Sequence, residues 1–97
     1  MATYIALIDF TAQGIRTIKD SPRRADAFLE AAKRAGATVR ELYWTLGAHD
    51  GVLIVDAPDD TSASKLFLAL CSAGNVRTQT LRAFGRSEME TLLDEAD

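Results

Sequence analysis

The centre of the chain carries a predicted β-hairpin, and this hairpin constrains the fold more than any other feature of the sequence. Residues 47–51 read Gly-Ala-His-Asp-Gly, and the two glycines allow left-handed turns without a Cβ penalty. The apolar run at residues 52–55 follows directly and belongs to the most hydrophobic predicted strand. A pair of adjacent antiparallel strands therefore divides the chain into two halves.

The first half is predicted to add one strand and one helix to the hairpin. Residues 3–10 are rich in β-branched and aromatic types, which is typical of a strand. An ambiguous segment follows, and then Ser21 as N-cap and Pro22 at the first helical position begin a helix that ends at Gly36. The first strand of the hairpin is predicted at residues 38–46.

The second half repeats this pattern. A strand at residues 51–57 is followed by an aspartate that can cap a helix, which closes at Gly74. A fourth strand is predicted at residues 75–84. Ser87 and Glu90 then form a predicted capping box for a short C-terminal helix whose apolar side faces inward through Met89, Leu92 and Leu93.

This order of elements defines the predicted fold class. It reads β-α-β-β-α-β with an extra C-terminal helix, in a single domain that spans residues 1–97. Right-handed crossovers place both main helices on one face of a four-stranded antiparallel sheet. The prediction is an α+β sandwich of the ferredoxin-like type with one uncovered sheet face.

The first three strands are apolar on both faces. A sheet with one face in water should instead alternate apolar with polar residues. Leaving the uncovered face in water would expose a larger apolar patch than soluble monomers usually carry. We therefore expect a homodimer or higher homo-oligomer that packs sheet against sheet, although the C-terminal helix offers a smaller alternative cover. Within each strand, alternation assigns the apolar residues to two opposite faces. The two sets are Ile5 and Leu7 against Tyr4, Ala6, Ile8 and Phe10 in the first strand; Leu42, Trp44 and Leu46 against Val39 and Tyr43 in the second; and Leu53, Val55 and Ala57 against Val52 and Ile54 in the third.

Composition narrows the expected partners and location. The net charge of -3 argues against a nucleic-acid binder, which would normally carry a basic surplus. No run approaches the ~18 apolar residues of a membrane span, and the N-terminus does not read as a signal peptide. The expectation is a cytoplasmic protein that binds neither membrane nor nucleic acid.

His49 and Asp50 are the candidate catalytic residues. Histidine titrates near neutrality, and a carboxylate could orient its ring for acid–base chemistry. The alternative is a plain turn in which Asp50 accepts backbone amides and His49 is an exposed polar cap. With one histidine and one cysteine, no metal site and no cofactor are predicted, and His49 as a single axial haem ligand is the minor alternative.

The candidate ligand-binding residues lie on the second and fourth strands. Arg77 and Arg82 are five residues apart and so lie on opposite faces, where one could hold an anionic group. Ion pairs with acidic neighbours are the alternative. Asn75 reads as a ligand contact or a turn residue, and Tyr43 and Trp44 as substrate-stacking or packing aromatics.

A basic cluster surrounds the start of the first main helix. Its members, Arg16, Lys19, Arg23 and Arg24, could attract an anionic ligand. Positive charge is mildly unfavourable near a helix N-terminus, which favours a solvated or partner-facing surface instead.

Three stretches carry a resemblance to a known family. They are Gln-Gly-Ile-Arg-Thr-Ile-Lys-Asp-Ser-Pro-Arg at 13–23, Ala-Pro-Asp-Asp at 57–60, and Gly-Asn-Val-Arg-Thr with Leu-Arg-Ala-Phe within 74–84. They closely resemble the GYD-domain family of small bacterial proteins, and the resemblance covers almost the whole chain. The family pattern has a tyrosine in the central hairpin where this chain has His49.

The resemblance implies a ferredoxin-like fold similar to the dimeric α/β barrels. That group includes monooxygenases, lactone isomerases, polyketide cyclases and haem proteins, so the fold leaves the chemistry open. Two functions are therefore expected. The first is a small oligomeric ligand-binding or assembly protein, and the alternative is a dimeric-barrel enzyme that uses His49 as acid or base on a small aromatic or carbonyl compound.

Overall fold

Four antiparallel strands form one sheet, and the two main helices lie against it as the predicted α+β class requires. The computed structural model describes residues 1–95. Its elements are β1 Ala2–Phe10, α1 Ala12–Arg16, α2 Ser21–Arg34, β2 Thr38–Trp44, β3 Gly51–Ala57, α3 Asp60–Ser72, β4 Val76–Ala83 and α4 Arg86–Glu95, with a 3-10 turn at Ile18–Asp20 between α1 and α2. The strand order in the sheet is β2-β3-β1-β4.

The core lies between one face of the sheet and the two main helices. Alternate residues of β1 and β3 point into it, and small residues there allow the helices to approach closely. The rings of Phe28 on α2 and Phe67 on α3 stack with centroids 6.1 Å apart. The buried core consists of Tyr4, Ala6, Ile8, Phe28, Ala32, Ala37, Leu53, Val55, Ala57, Ala63, Leu66, Phe67 and Val76.

The glycines of the central hairpin have different roles. Gly47 adopts a φ of +105°, the left-handed region predicted for it. Gly51 does not; instead a Cβ there would lie 2.9 Å from the carbonyl oxygen of Tyr43. The second glycine is therefore required by close packing of β2 against β3 rather than by a turn conformation.

The predicted cap of the first main helix is wrong. The 3-10 turn runs straight into α2, so Asp20 occupies the N-cap position and makes no side-chain cap bond. Ser21 is the first helical residue, and its buried hydroxyl accepts a hydrogen bond from the Trp44 indole Nε1 at 2.9 Å. At α3 the capping prediction is confirmed, because the Asp59 carboxylate accepts the Ser62 backbone amide at 2.8 Å.

A β-bulge corrects the predicted facing of β2. The register with β3 shifts between Val39 and Glu41. Val39 pairs with buried Val55 and so lies on the helix side, whereas the sequence alternation placed it on the other face with Tyr43. The bulge thereby changes which side chains of this edge strand share a face.

The C-terminal helix does not pack inward as predicted. No residue of α4 is buried, and Met89, Leu92 and Leu93 are all exposed. Its predicted capping box is also displaced: Gly85 precedes the helix, and Glu88 accepts the Gly85 amide at 3.2 Å. This bond and the neighbouring Arg82 guanidinium lower the pKa of Glu88.

Across residues 1–95, none of the helices combines the length and apolar character that crossing a lipid bilayer requires.

Gly14→Ala tests the close contact between α1 and the start of β4. Alanine normally favours a helix, but the added Cβ would lie 1.9 Å from the carbonyl oxygen of Asn75. Overpacking against backbone outweighs helix propensity, so we expect a loss of about 1–3 kcal/mol in the free energy of unfolding. Urea unfolding followed by circular dichroism measures it. Gly85→Ala is the control, because its Cβ meets only Glu88 Oε1 at 3.9 Å.

Candidate functional site

The uncovered face of the sheet carries two cross-strand rows across its middle, which we call apolar rows because each is apolar except for one polar residue at an edge strand. Cross-strand register aligns each row in the order β2, β3, β1, β4. The side chains are partly buried on the two central strands and exposed on the edge strands. We call this surface the open face; its rows are Glu41-Ile54-Ile5-Leu81 and Tyr43-Val52-Leu7-Gln79.

Polar side chains border the open face at both ends. At the end nearest α4, the Asp56 carboxylate accepts the Thr3 hydroxyl at 2.7 Å and lies 3.4 Å from the Arg40 guanidinium. At the other end Asp9 faces the hairpin, and Arg77 lies opposite it on β4. The apolar rows are thus framed by charged residues, as the core of a protein interface is framed by its rim.

His49 lies at this second border, and its ring partner is Asp9. The imidazole Nδ1 is 3.2 and 3.3 Å from the two Asp9 carboxylate oxygens, and both side chains are partly exposed. The neighbouring Asp50 turns away from the ring. Its carboxylate accepts the Phe10 backbone amide at 2.8 Å, while its own amide donates to the Ile8 carbonyl at 2.8 Å.

Asp9, the partner of the His49 ring, is a site residue that sequence reasoning missed. The strand alternation of β1 already places Asp9 on the same face as Ile5 and Leu7. What the sequence does not show is that the hairpin turn folds back over the end of β1, which brings residues 40 positions apart within hydrogen-bonding distance.

The two candidate aromatics of β2 lie on opposite faces. Tyr43 is on the open face, and its hydroxyl donates to Glu41 at 2.8 Å, a bond that raises the tyrosine pKa. Trp44 is on the helix side, where it bonds to Ser21. The structure therefore places Tyr43, and not Trp44, among the residues available to a sheet-face partner.

A small apolar cavity lies beneath Trp44, between α2 and the sheet. Its volume is about 80 Å³, and Phe28, Leu42 and Arg24 are among the residues that line it, together with Tyr43 and Asp50. Ligand pockets usually measure about 300–1,000 Å³, so this cavity is below the size of a binding site for an organic molecule.

A larger groove separates α3 from the edge strand β4. Its volume is about 470 Å³, and it contains the predicted ligand residue Arg82. The Tyr4 hydroxyl donates to Asp60 at one end, which raises the pKa of Tyr4, and Cys71 Sγ lies 3.4 Å from the Thr78 hydroxyl within the groove. Arg82 stacks over the Phe84 ring at 4.4 Å and reaches Glu88 at 3.3 Å, so its charge already has partners.

The remaining candidates, Arg77 and Asn75, line neither cavity. Arg77 lies on the open face and Arg82 on the helix side, as their spacing predicts. Asn75 lies between α3 and β4 in the chain and contacts the start of α1. Its carbonyl oxygen accepts the Thr11 backbone N–H at 3.1 Å, and its side-chain Oδ1 accepts a hydrogen bond from the Gln13 side-chain Nε2 at 3.0 Å. Within residues 1–95, no three histidine, cysteine or acidic side chains are grouped to hold a metal ion.

Comparison with known proteins identifies the protein family of this chain. The GYD domain model matches residues 4–93, and the chain therefore belongs to the GYD domain family. A protein of Thermus thermophilus named "Glutamine synthetase and cystathionine beta-lyase binding protein" is 34% identical over 84 residues, which is 86% of this chain and 88% of that protein.

A solved structure supports the fold alone. The crystal structure of MtbAldR superimposes with a TM-score of 0.62 at 16% identity. The match covers 88% of this chain and 54% of MtbAldR, so the chain spans about half the length of that protein. Likeness at this level establishes the ferredoxin-like arrangement of strands and helices and leaves activity open.

Comparing Asp50→Ala with His49→Ala tests whether Asp50 stabilises the hairpin more than His49 does. Removing the Asp50 carboxylate leaves the Phe10 amide without its acceptor, and hydrogen bonds to charged groups contribute about 1.5–3 kcal/mol to stability. The partly exposed His49–Asp9 pair contributes about 0–1 kcal/mol. Urea unfolding should therefore rank Asp50→Ala as the more destabilised variant, and the reverse order would contradict these roles.

Proposed function

We propose that this chain is a self-associating, non-catalytic module that binds other proteins. The observation that carries the proposal is the open face, with its apolar rows and charged borders. A homo-oligomer accounts for this face, and the relative's printed name favours protein partners over a substrate.

Self-association follows from the cost of leaving the open face in water. Soluble monomers rarely expose contiguous apolar patches beyond a few hundred Å². A second copy presents the same rows, and two identical faces can pack about a two-fold axis at the usual sheet spacing of about 10 Å. The charged borders then remain at the solvated rim of the contact, where they fix register at little desolvation cost.

Glutamine synthetase and cystathionine β-lyase are the partners we propose for this chain. The Thermus relative is named for binding both enzymes, and the similarity extends over most of each chain. Both are enzymes of amino-acid metabolism, so the proposed location is the cytoplasm. A binding role also requires no catalytic set, which is consistent with His49 lying on a partly exposed border.

The pairing of Asp9 with His49 favours a second candidate function. A carboxylate that orients a histidine ring is a common acid–base arrangement. Packing of two open faces would place this pair and Arg77 beside the contact, where an anionic aromatic or carbonyl compound could be held. In this alternative the chain is an enzyme of the dimeric-barrel kind, with His49 as acid or base.

Ile5→Lys tests the self-association. Ile5 lies between Ile54 and Leu81 in an apolar row, so a lysine there would be buried against a second copy without an acidic cross-strand neighbour. We expect sedimentation velocity to show the 10.5 kDa monomer, with unchanged circular dichroism. Leu68→Lys on the outer side of α3 is the matched control and should leave the mass of the oligomer unchanged. An oligomeric Ile5→Lys variant would exclude the open face as the contact.

Calorimetric titration tests the protein-binding function. Glutamine synthetase and cystathionine β-lyase from the organism that encodes this chain should each bind with a Kd of about 1 μM or tighter, about 8 kcal/mol of binding free energy. His49→Gln should bind equally well. Binding of neither enzyme by the intact oligomer would reject the proposed partners, and a small molecule retained in native mass spectra but lost in His49→Gln would favour the enzyme.

A further inference from the structure

The C-terminal helix α4 needs a surface that its own chain does not supply. It is ten residues long, and none of its residues is buried. Met89, Leu92 and Leu93 form an apolar stripe with 45%, 43% and 61% of their surface exposed. Isolated helices shorter than about 12–15 residues are marginal in water, and most helical stability in proteins comes from packing an apolar face.

The first turn of α4 is nevertheless bound to the rest of the domain. Glu88 accepts the Gly85 amide and lies 3.3 Å from the Arg82 guanidinium, which itself stacks on Phe84. These contacts set the direction in which the helix leaves the sheet. These contacts therefore fix the position of the apolar stripe relative to the sheet.

A complementary surface lies at the other end of the molecule, in the segment that joins β1 to α2. Ile15 and Ile18 are 53% and 40% exposed, and the exposed cations Arg16 and Lys19 flank them. We call these four residues the basic patch. Arg24 holds the segment in place by donating to the carbonyl oxygens of Thr17 and Gly14 at 3.0 and 3.3 Å.

The charges of α4 match those of the basic patch. Glu90 and Asp94 are four residues apart and form an acidic row beside the row of Met89 and Leu93. Arg86 lies 3.8 Å from Glu90, but both side chains are exposed, so this pair holds the Glu90 charge only weakly. The helix thus presents apolar side chains flanked by carboxylates, and the patch presents apolar side chains flanked by cations. Such complementarity favours the encounter and fixes its orientation.

The register of the sheet places α4 and the basic patch at opposite ends of one chain. Ala83, which precedes α4, lies opposite Thr3, whereas Val76 lies opposite Phe10 at the end where the patch begins. Seven residue steps separate these ends, about 24 Å at 3.4 Å per residue. None of the ten residues of α4 is buried, so in this structure α4 does not cover its own patch.

From this placement we propose that α4 of one copy docks on the basic patch of a second copy. Two copies whose sheets run antiparallel bring each α4 to the other's patch, so the contact forms twice around one two-fold axis. The inference rests on the self-association proposed above and specifies a contact outside the open face.

Charge reversal tests the pairing. One variant carries Arg16→Glu and Lys19→Glu, and the other carries Glu90→Lys and Asp94→Lys. Each alone sets like charges against each other in both contacts, and sedimentation equilibrium should show at least a tenfold rise in its dissociation constant. Mixed in equal amounts, the two variants restore opposite charges in both contacts, so the mixture should associate as tightly as the unmodified chain.

The outcomes separate this inference from the proposed function. If the unmodified chain is a monomer, self-association itself fails. If it associates but neither reversed variant is weakened, or the mixture does not recover, the α4 contact is wrong while the open face stands. Loss of enzyme binding by the patch variant with unchanged self-association would assign the patch to a different partner. Leu68→Glu is the control for adding an acidic charge elsewhere and should associate normally.

Discussion

The fold depends on β1, which pairs along both edges and is apolar on both faces. Its helix side, through Tyr4, Ala6 and Ile8, forms the centre of the core. Its other side, through Ile5 and Leu7, forms the centre of the open face. Because side chains alternate along a strand, the same nine residues build both the interior of the chain and the middle of its open face.

The end of β1 also organises the site around His49. Asp50 ties the hairpin to β1 through two backbone contacts, with the Phe10 amide and the Ile8 carbonyl. The Thr45 hydroxyl adds a bond to the His49 carbonyl at 2.7 Å. Held in this way, the histidine ring meets Asp9 at the border of the open face. The acid that positions the loop and the acid that meets the ring are therefore different residues.

Three features of the chain point outward: the open face, the basic patch and the stripe of α4. Each combines apolar side chains with charged ones, which is the composition of surfaces that bind proteins rather than of pockets that enclose substrates. A chain of 97 residues has little interior, and several of its large apolar side chains, among them those of Ile15, Leu81 and Leu93, stay exposed.

Local signals in the sequence determined the strands, the two main helices, the Asp59 cap and the left-handed Gly47, because each depends on residues close together in the chain. Alternation along β1 and β3 likewise determined that two apolar faces exist. Tertiary structure alone decided that Val39 shares a face with Leu42, that Ser21 bonds to Trp44 instead of capping a helix, and that Asp9 meets His49. It also decided that α4 stays exposed. These outcomes depend on a bulge, a turn and contacts between residues far apart in sequence, which no local pattern encodes.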